Sequence, residues 1–300
     1  MTVQAASSKS DFLELETEGG GFTKSFLRFA RHRAALVGAV VLGIFVFVGL
    51  FADTFMPYDP LKMDIFSSRQ SPSAMHWLGT DELGRDILSR IVFGARLTLS
   101  ISGLGVVVGL IFGAGIGVIA GFFGGRVDNI LMRGIDLLLA FPGVMMAVVI
   151  ITIVGPGIQG VIVAVVFSTI PAFARISRGS TLITRELEFI EAARAIGAGD
   201  GRIIRRHIFP NILAPILVQV SLGLARAILL AAGLSFLGLG AQPPTPEWGA
   251  MLSNGRTFLV AAPHIVMFPG LAIMIIVMSL NLVGDGLRDH FDPRLRRVVE

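Results

Sequence analysis

Arg226 stands near the middle of residues 212–238, a run with no other charged side chain. A guanidinium presents a planar fork of donors that fits a carboxylate. Facing lipid, the cation would cost about 2.5–3.5 kcal/mol on insertion scales. It is therefore expected to face a helix bundle or a wet cavity. No acidic residue is predicted at the same depth, so its counter-charge would come from another chain or from a bound anion. Gln219 and Ser221 on the same helix are softer candidates for a substrate pathway. A buried structural pair or a snorkelling surface position remains open for Arg226.

Other chemistry is missing. There is no cysteine, so no thiolate metal site or cysteine nucleophile is available. A phosphate-cradling loop ends in Gly-Lys-Ser/Thr, and Lys9, Lys24 and Lys62, the only lysines, do not follow glycine. No His-Glu-x-x-His or Gly-x-Ser-x-Gly occurs. His32, His76, His207, His264 and His290 are far apart. No catalytic residue, metal or cofactor is expected, and no nucleic-acid partner. If the chain moves cargo with ATP, another protein must hydrolyse it.

The elements that would position Arg226 follow from hydropathy. The 300 residues are 53% hydrophobic and 15% charged, against about 25% charged in soluble domains. Mean hydropathy is +0.77. A hydrocarbon core of ~30 Å needs about 20 apolar helical residues. Six candidate runs appear: about 34–53, 98–121, 134–154, 157–174, 212–238 and 263–284. The expected class is an all-α integral membrane protein with six transmembrane helices. Residues 1–23 read as a polar, flexible cytoplasmic tail. The first run is too long for a signal h-region and lacks a small-residue cleavage site, so it is expected to stay as an anchor.

Arginine placement sets the orientation. With the N-terminus inside, segments 1–33, 122–133, 175–211 and 285–300 hold 18 Lys and Arg, against 5 in 54–95, 155–156 and 239–262. The positive-inside rule then puts both termini in the cytoplasm.

The segment RELEFIEAARAIGAGDGRIIRRHIFPN, residues 185–211, is too short and polar to cross a membrane. Thr184 is positioned to cap a helix, and Glu186 and Glu188 suit its positive end. Leu187, Ile190, Ala193 and Gly197 recur at helical spacing. Gly197 suits the left-handed residue that ends a helix, Asp200 is positioned to cap a second short helix, and Pro210 marks the start of the fifth span. The expectation is a bent pair of short helices on the cytoplasmic surface. Small residues there would let another protein approach closely. An ordinary loop holding anionic lipid is an equal reading of these residues.

Glu191-Ala192-Ala193, then Gly197 and Pro210, resembles the EAA loop of ABC importer permeases. HWLGTDELGRDILSRIVFGARLTLS (76–100), GLGAQPPTPEWGAML (238–252) and NLVGDGLRDHFDPRLR (281–296) resemble the C-type permease of the dipeptide, oligopeptide and nickel branch. His207 and Phe209 depart from the usual Ile and Leu of the loop but are similar to the peptide-importer variant. The resemblance implies a type I permease fold, with 24–96 as anchor and extracytoplasmic loop and 97–297 as permease core. It implies a coupling helix at about 185–200, gripped by an ATPase through Glu191, Ala192, Ala193, Gly197 and Pro210. It further implies a second homologous permease, two ATP-binding subunits, an extracytoplasmic solute-binding protein, and a bacterial or archaeal plasma membrane. Peptides are the expected cargo; nickel chelates, glutathione or opines are alternatives. A self-powered secondary transporter is a weaker reading, because Asp136 and Asp285 sit near the ends of their spans, not at mid-membrane.

Three further features complete the reading. Gly105, Gly109, Gly113, Gly117 and Gly121 form a ladder at i+4 spacing, expected to let a second helix approach closely. Residues 81–93 are expected to form an amphipathic helix that rests at the interface or meets a delivering protein. Trp248 beside three prolines is expected to anchor at the interface or join an outer gate.

Overall fold

The computed structural model describes residues 33–291. The tail 1–23 with Lys24, Arg28 and Arg31, and the end of the fourth motif at 292–296, lie outside the described residues. In chain order the helices are α1 (Arg33–Leu50), α2 (Ile87–Phe123), α3 (Gly125–Leu139), α4 (Gly143–Val154) and α5 (Ile158–Arg185). They continue with α6 (Glu188–Ala195), α7 (Asp200–Phe236), α8 (Trp248–Gly255) and α9 (His264–Phe291). Among the described residues the β content is one isolated bridge, Thr80 to Asp86.

Five helices, α1, α2, α5, α7 and α9, are long and apolar enough to cross a membrane. The third expected span, 134–154, is corrected: it is two helices, α3 and α4, bent by 90°. The cause is Phe141-Pro142-Gly143. Proline has no N–H to continue α3 and disfavours helical geometry in the residue before it. Pro142, with φ −55 and ψ 133, stands at the N-cap of α4. Counting the bent pair as one crossing gives six.

The ladder on α2 lies against α5. A Cβ on Gly105, Gly113 or Gly121 would collide with Val165, with Ile170 and Phe173, or with Arg178 and Thr181 respectively. Glycine removes that collision and lets the two backbones touch, which is how helices gain dispersion contact in lipid. Phe173 and Val165 then join Val106, Ile151, Ala227 and Leu234 in a buried cluster.

The amphipathic helix expected over 81–93 is also corrected. Residues 80–86 form a tight turn, and α2 starts only at Ile87 and runs unbroken for 37 residues. Gly84, with φ +74, passes so close to Asp64 that no side chain would fit. Asp81 accepts from the Leu83 and Arg85 N–H groups, both at 2.9 Å, and from Arg85 Nε at 2.6 Å. Asp86 caps α2 through Ser89 N at 2.8 Å. Buried charges of this kind persist only when paired and hydrogen-bonded. They also bear on the orientation. Arg85 and Arg90, both counted outside, are only 2% exposed and are spent inside this network.

Trp248 is fully buried, packs edge-on to Phe45 at 5.8 Å and donates from Nε1 to the Ile91 carbonyl at 3.1 Å. It is a core residue, which corrects its reading as an interface anchor. Neighbouring Glu247 caps α8 by accepting from Gly249 and Ala250 N–H at 3.0 and 2.9 Å. Burial pushes its carboxyl above the ordinary glutamate range.

Candidate functional site

Two places bring the singled-out residues together: the elbow formed by α6, and a cavity halfway along α7.

The elbow begins where α5 ends. Arg185 donates to the Gly121 carbonyl at 2.8 Å, tying the last turn of α5 to the last turn of α2. Thr184, expected to cap a new helix, does not do so. It lies inside α5 and donates to the Ser180 carbonyl at 2.9 Å. Helix α6 starts instead after Leu187, with Glu188 and Glu191 in its first turn, where negative charge offsets the positive helix end. It ends as the glycine demands. Gly197 has φ +81 and donates to the Arg194 carbonyl at 2.9 Å, and Ala198 donates to the Ala193 carbonyl at 3.0 Å. This paired closure satisfies carbonyls that would otherwise be orphaned.

Helix α6 has two faces. Ile190 and Ala193 are buried with Val118 and Phe122 of α2 and Ile203, Ile208 and Ile212 of α7. Arg194 lies 5.5 Å over the Phe122 ring, adding a cation–π contact. The other face carries Glu191, Ala192 and Gly197, all exposed. Phe189 and Ile196 are exposed too, Ile196 at 86%. Phe189 and Ile196 thus put apolar surface on the outward side of this otherwise polar helix. Of the five residues expected to couple, Ala193 therefore turns into its own chain. Pro210 lies exposed at the base of α7. Of the sequence pattern Leu187, Ile190, Ala193 and Gly197, only Ile190 and Ala193 turn inward, Leu187 and Gly197 being exposed; Phe189 and Ile196 were the residues it left unremarked.

The expected second short arm is corrected as well. Residues 200–208 are the first turns of α7, which is continuous from Asp200 to Phe236. Pro210 cannot donate to the residue four before it. A π turn over Ile204–Ile208, closed by Phe209 N–H on the Ile204 carbonyl, precedes it. The elbow is thus joined directly to the membrane helix that carries Arg226.

Arg226 is exposed, and with Gln219 it lines a cavity of about 290 Å³. Opposite them stand Ser168, Thr169 and Phe173 of α5, with Gly143 and Val144 at the start of α4. Ser221 is not part of this group. It is buried, donates to the Val218 carbonyl at 2.8 Å, and faces Gly284 across the seam with α9. The contributions of α4 and α5 could not be read from spacing along one helix, because they arrive through the 90° bend and the α2–α5 contact.

Residues 109–297 match the family described as binding-protein-dependent transport system inner membrane component. Residues 22–72 match the N-terminal TM domain of oligopeptide transport permease C. The chain is 45% identical, over 91% of its length and 90% of the relative's, to a dipeptide transport system permease protein of Alkalihalophilus pseudofirmus. It is 46% identical to a glutathione transport system permease protein of Pectobacterium atrosepticum, covering 90% of each chain. Among solved structures it is similar in fold to a methionine ABC transporter in inward-facing conformations. That match has a TM-score of 0.55 at 20% identity, and covers 71% of this chain and 98% of the other.

Proposed function

Because this chain belongs to the binding-protein-dependent transport system inner membrane components, as the permease subunit of an ABC importer, we propose that it passes peptides across a bacterial inner membrane. It is a multi-pass transport component, not an enzyme. In this reading a second permease completes the path, an extracytoplasmic binding protein delivers the peptide, and two ATPase subunits supply the energy. Both termini face the cytoplasm. Residues 1–23 are a tail, 24–96 the anchor and outer loop, and 97–297 the permease core.

The observation that carries the coupling role is the division of α6 into two apolar faces. The inner one, Ile190 and Ala193, fixes it to α2 and α7. The outer one, Phe189, Ala192 and Ile196, would seat in a cleft of the ATPase, with Glu191 and Gly197 beside it. Closure of the ATPase pair then pushes on a rigid elbow, and α7 moves the wall that carries Arg226 and Gln219. Pro210 would sit at the pivot. Ser221 would hold the α7–α9 seam during that movement.

Relatives named as glutathione permeases favour glutathione, itself a short peptide, as a second cargo.

Ile196→Asp tests the coupling role. Loss of an anchoring contact at a protein interface costs 2 kcal/mol or more, about thirtyfold in affinity. The variant should insert and fold normally, because the side chain is outside the core, yet lose co-purifying ATPase and peptide uptake. Ile190→Asp, a charge in the buried cluster, should instead unfold the elbow. Normal ATPase retention and uptake in Ile196→Asp would defeat the proposal.

A further inference from the structure

We infer that Arg226 is the anion subsite of the path, holding the C-terminal carboxylate of a passing peptide; this rests on the peptide reading above. The cavity beside Arg226 is about 290 Å³ with mostly apolar walls, among them Val144, Phe173 and Leu230. Few polar atoms reach it, and they are unequal. Ser168 and Thr169 both donate to the Val165 carbonyl, at 2.8 and 2.9 Å, so their hydroxyl protons are already committed to α5. That leaves Arg226 and Gln219 as the side-chain donors on the wall. Among the described residues no carboxylate lines the cavity. Arg226 has no ion pair or hydrogen bond among the described residues, whereas Arg175 and Arg178 on α5 are matched by Asp136 and Asp128 of α3.

Depth makes the missing partner significant. Arg226 lies ten residues before the end of α7 at Phe236, about 15 Å along the axis, or half the ~30 Å of a hydrocarbon core. A cation there needs water or an anion. The start of α4 adds to the same sign of potential. Gly143 and Val144 line the cavity, and Pro142 at the N-cap brings no side-chain acceptor. First-turn N–H groups lack intrahelical partners and carry partial positive charge. Gln219 is seven residues from Arg226, about 10 Å along the helix, which an extended peptide of three residues spans at about 3.3–3.6 Å each. A carboxylate on Arg226 would thus leave the backbone amides of the peptide level with Gln219. The ammonium end finds no partner on this subunit's wall, so the chain reads one end of its cargo.

The absence of cysteine from the whole chain provides a clean reporter. Leu230→Cys, one turn beyond Arg226 on the same wall, is labelled in the assembled transporter. The reagents are an anionic methanethiosulfonate (sulfonatoethyl) and a cationic one (trimethylammonium-ethyl). Adding Arg226→Gln should lower the anionic-to-cationic rate ratio at least about threefold, the effect of one charge ~6 Å away in a watery path. Trialanine as the free acid should slow labelling and trialanine amide should not. Arg226→Lys should keep the rate ratio while weakening the preference for the acid, because an ammonium cannot make the two-pronged contact. An unchanged ratio in Arg226→Gln, equal protection by acid and amide, or a cysteine neither reagent reaches would each overturn the subsite. The last would place a partner's side chain over Arg226. Protection by neither peptide, with the ratio still falling in Arg226→Gln, would count against peptide cargo and leave the anion subsite standing.

Discussion

Gly117→Ala is a sharp test of how the transport path is walled. The added Cβ would stand 2.2 Å from the Ala174 carbonyl oxygen and 2.9 Å from the Arg178 nitrogen of α5. Both are backbone atoms, so no rotamer change relieves the clash. Ordinary carbon contacts begin near 3.4 Å, and α5 would have to retreat by about 1 Å or bend. Overpacking of a filled core costs about 1–3 kcal/mol. The matched control is Gly115→Ala on the same helix, where nothing lies within 4 Å. There alanine is the better helix former by about 0.8–1 kcal/mol, and the change should be neutral or stabilising. Alanine's helix preference applies at both sites and cancels, so the two single-methyl variants should differ by the overpacking alone, about 1–3 kcal/mol. Reversible unfolding by SDS in mixed micelles measures that difference. Equal stabilities, or a more stable Gly117→Ala, would show that the ladder does not pack on α5, and the wall of the Arg226 cavity would have to be rebuilt.

The buried polar groups give two further expected outcomes. Asp81→Ala removes the acceptor for Arg85 at 2.6 Å and the charge 3.4 Å from Arg90. Stranding buried cations costs about 3–5 kcal/mol, so thermal unfolding should shift down sharply and limited proteolysis should open the 56–86 segment. Glu247 is held above the ordinary glutamate range by burial. Its contribution is then fully present below the unfolded-state value and lost as pH rises through the raised folded-state value. Glu247→Gln should flatten that decline in a series of unfolding curves, while unchanged pH dependence would refute the assignment.

Much of this protein was written in local runs of sequence. Burial in lipid needs about 20 apolar residues in a row, so hydropathy alone found the positions of α1, α2, α5, α7 and α9. The Gly105–Gly121 spacing announced a close helix contact because helical geometry puts every fourth residue on one face. Gly197 announced a helix end because few other residues accept a positive φ. The elbow between two spans was equally visible, since a polar, arginine-rich stretch there has nowhere to sit but the aqueous side.

Other properties depended on residues distant in the chain, and only the folded molecule decided them. Hydropathy ran residues 134–154 together as one span, and the 90° bend at Pro142 appeared only in the fold. Thr184 and residues 81–93 looked like helix starts. The first was drawn into α5, and the second was displaced by the ion network of Asp81, Arg85 and Arg90. Trp248 has the composition of an interface anchor, and it became core because Phe45 and Ile91 surround it. Ala192 and Ala193 are the same residue side by side, yet one faces solvent and the other α2 and α7. Arg226 and Ser221 share a helix, and neighbouring helices put one in a cavity and the other in a seam. Periodicity states which residues share a face, because that is set by the backbone of one helix. Which face meets lipid, water or another helix is set by contacts between elements far apart in sequence.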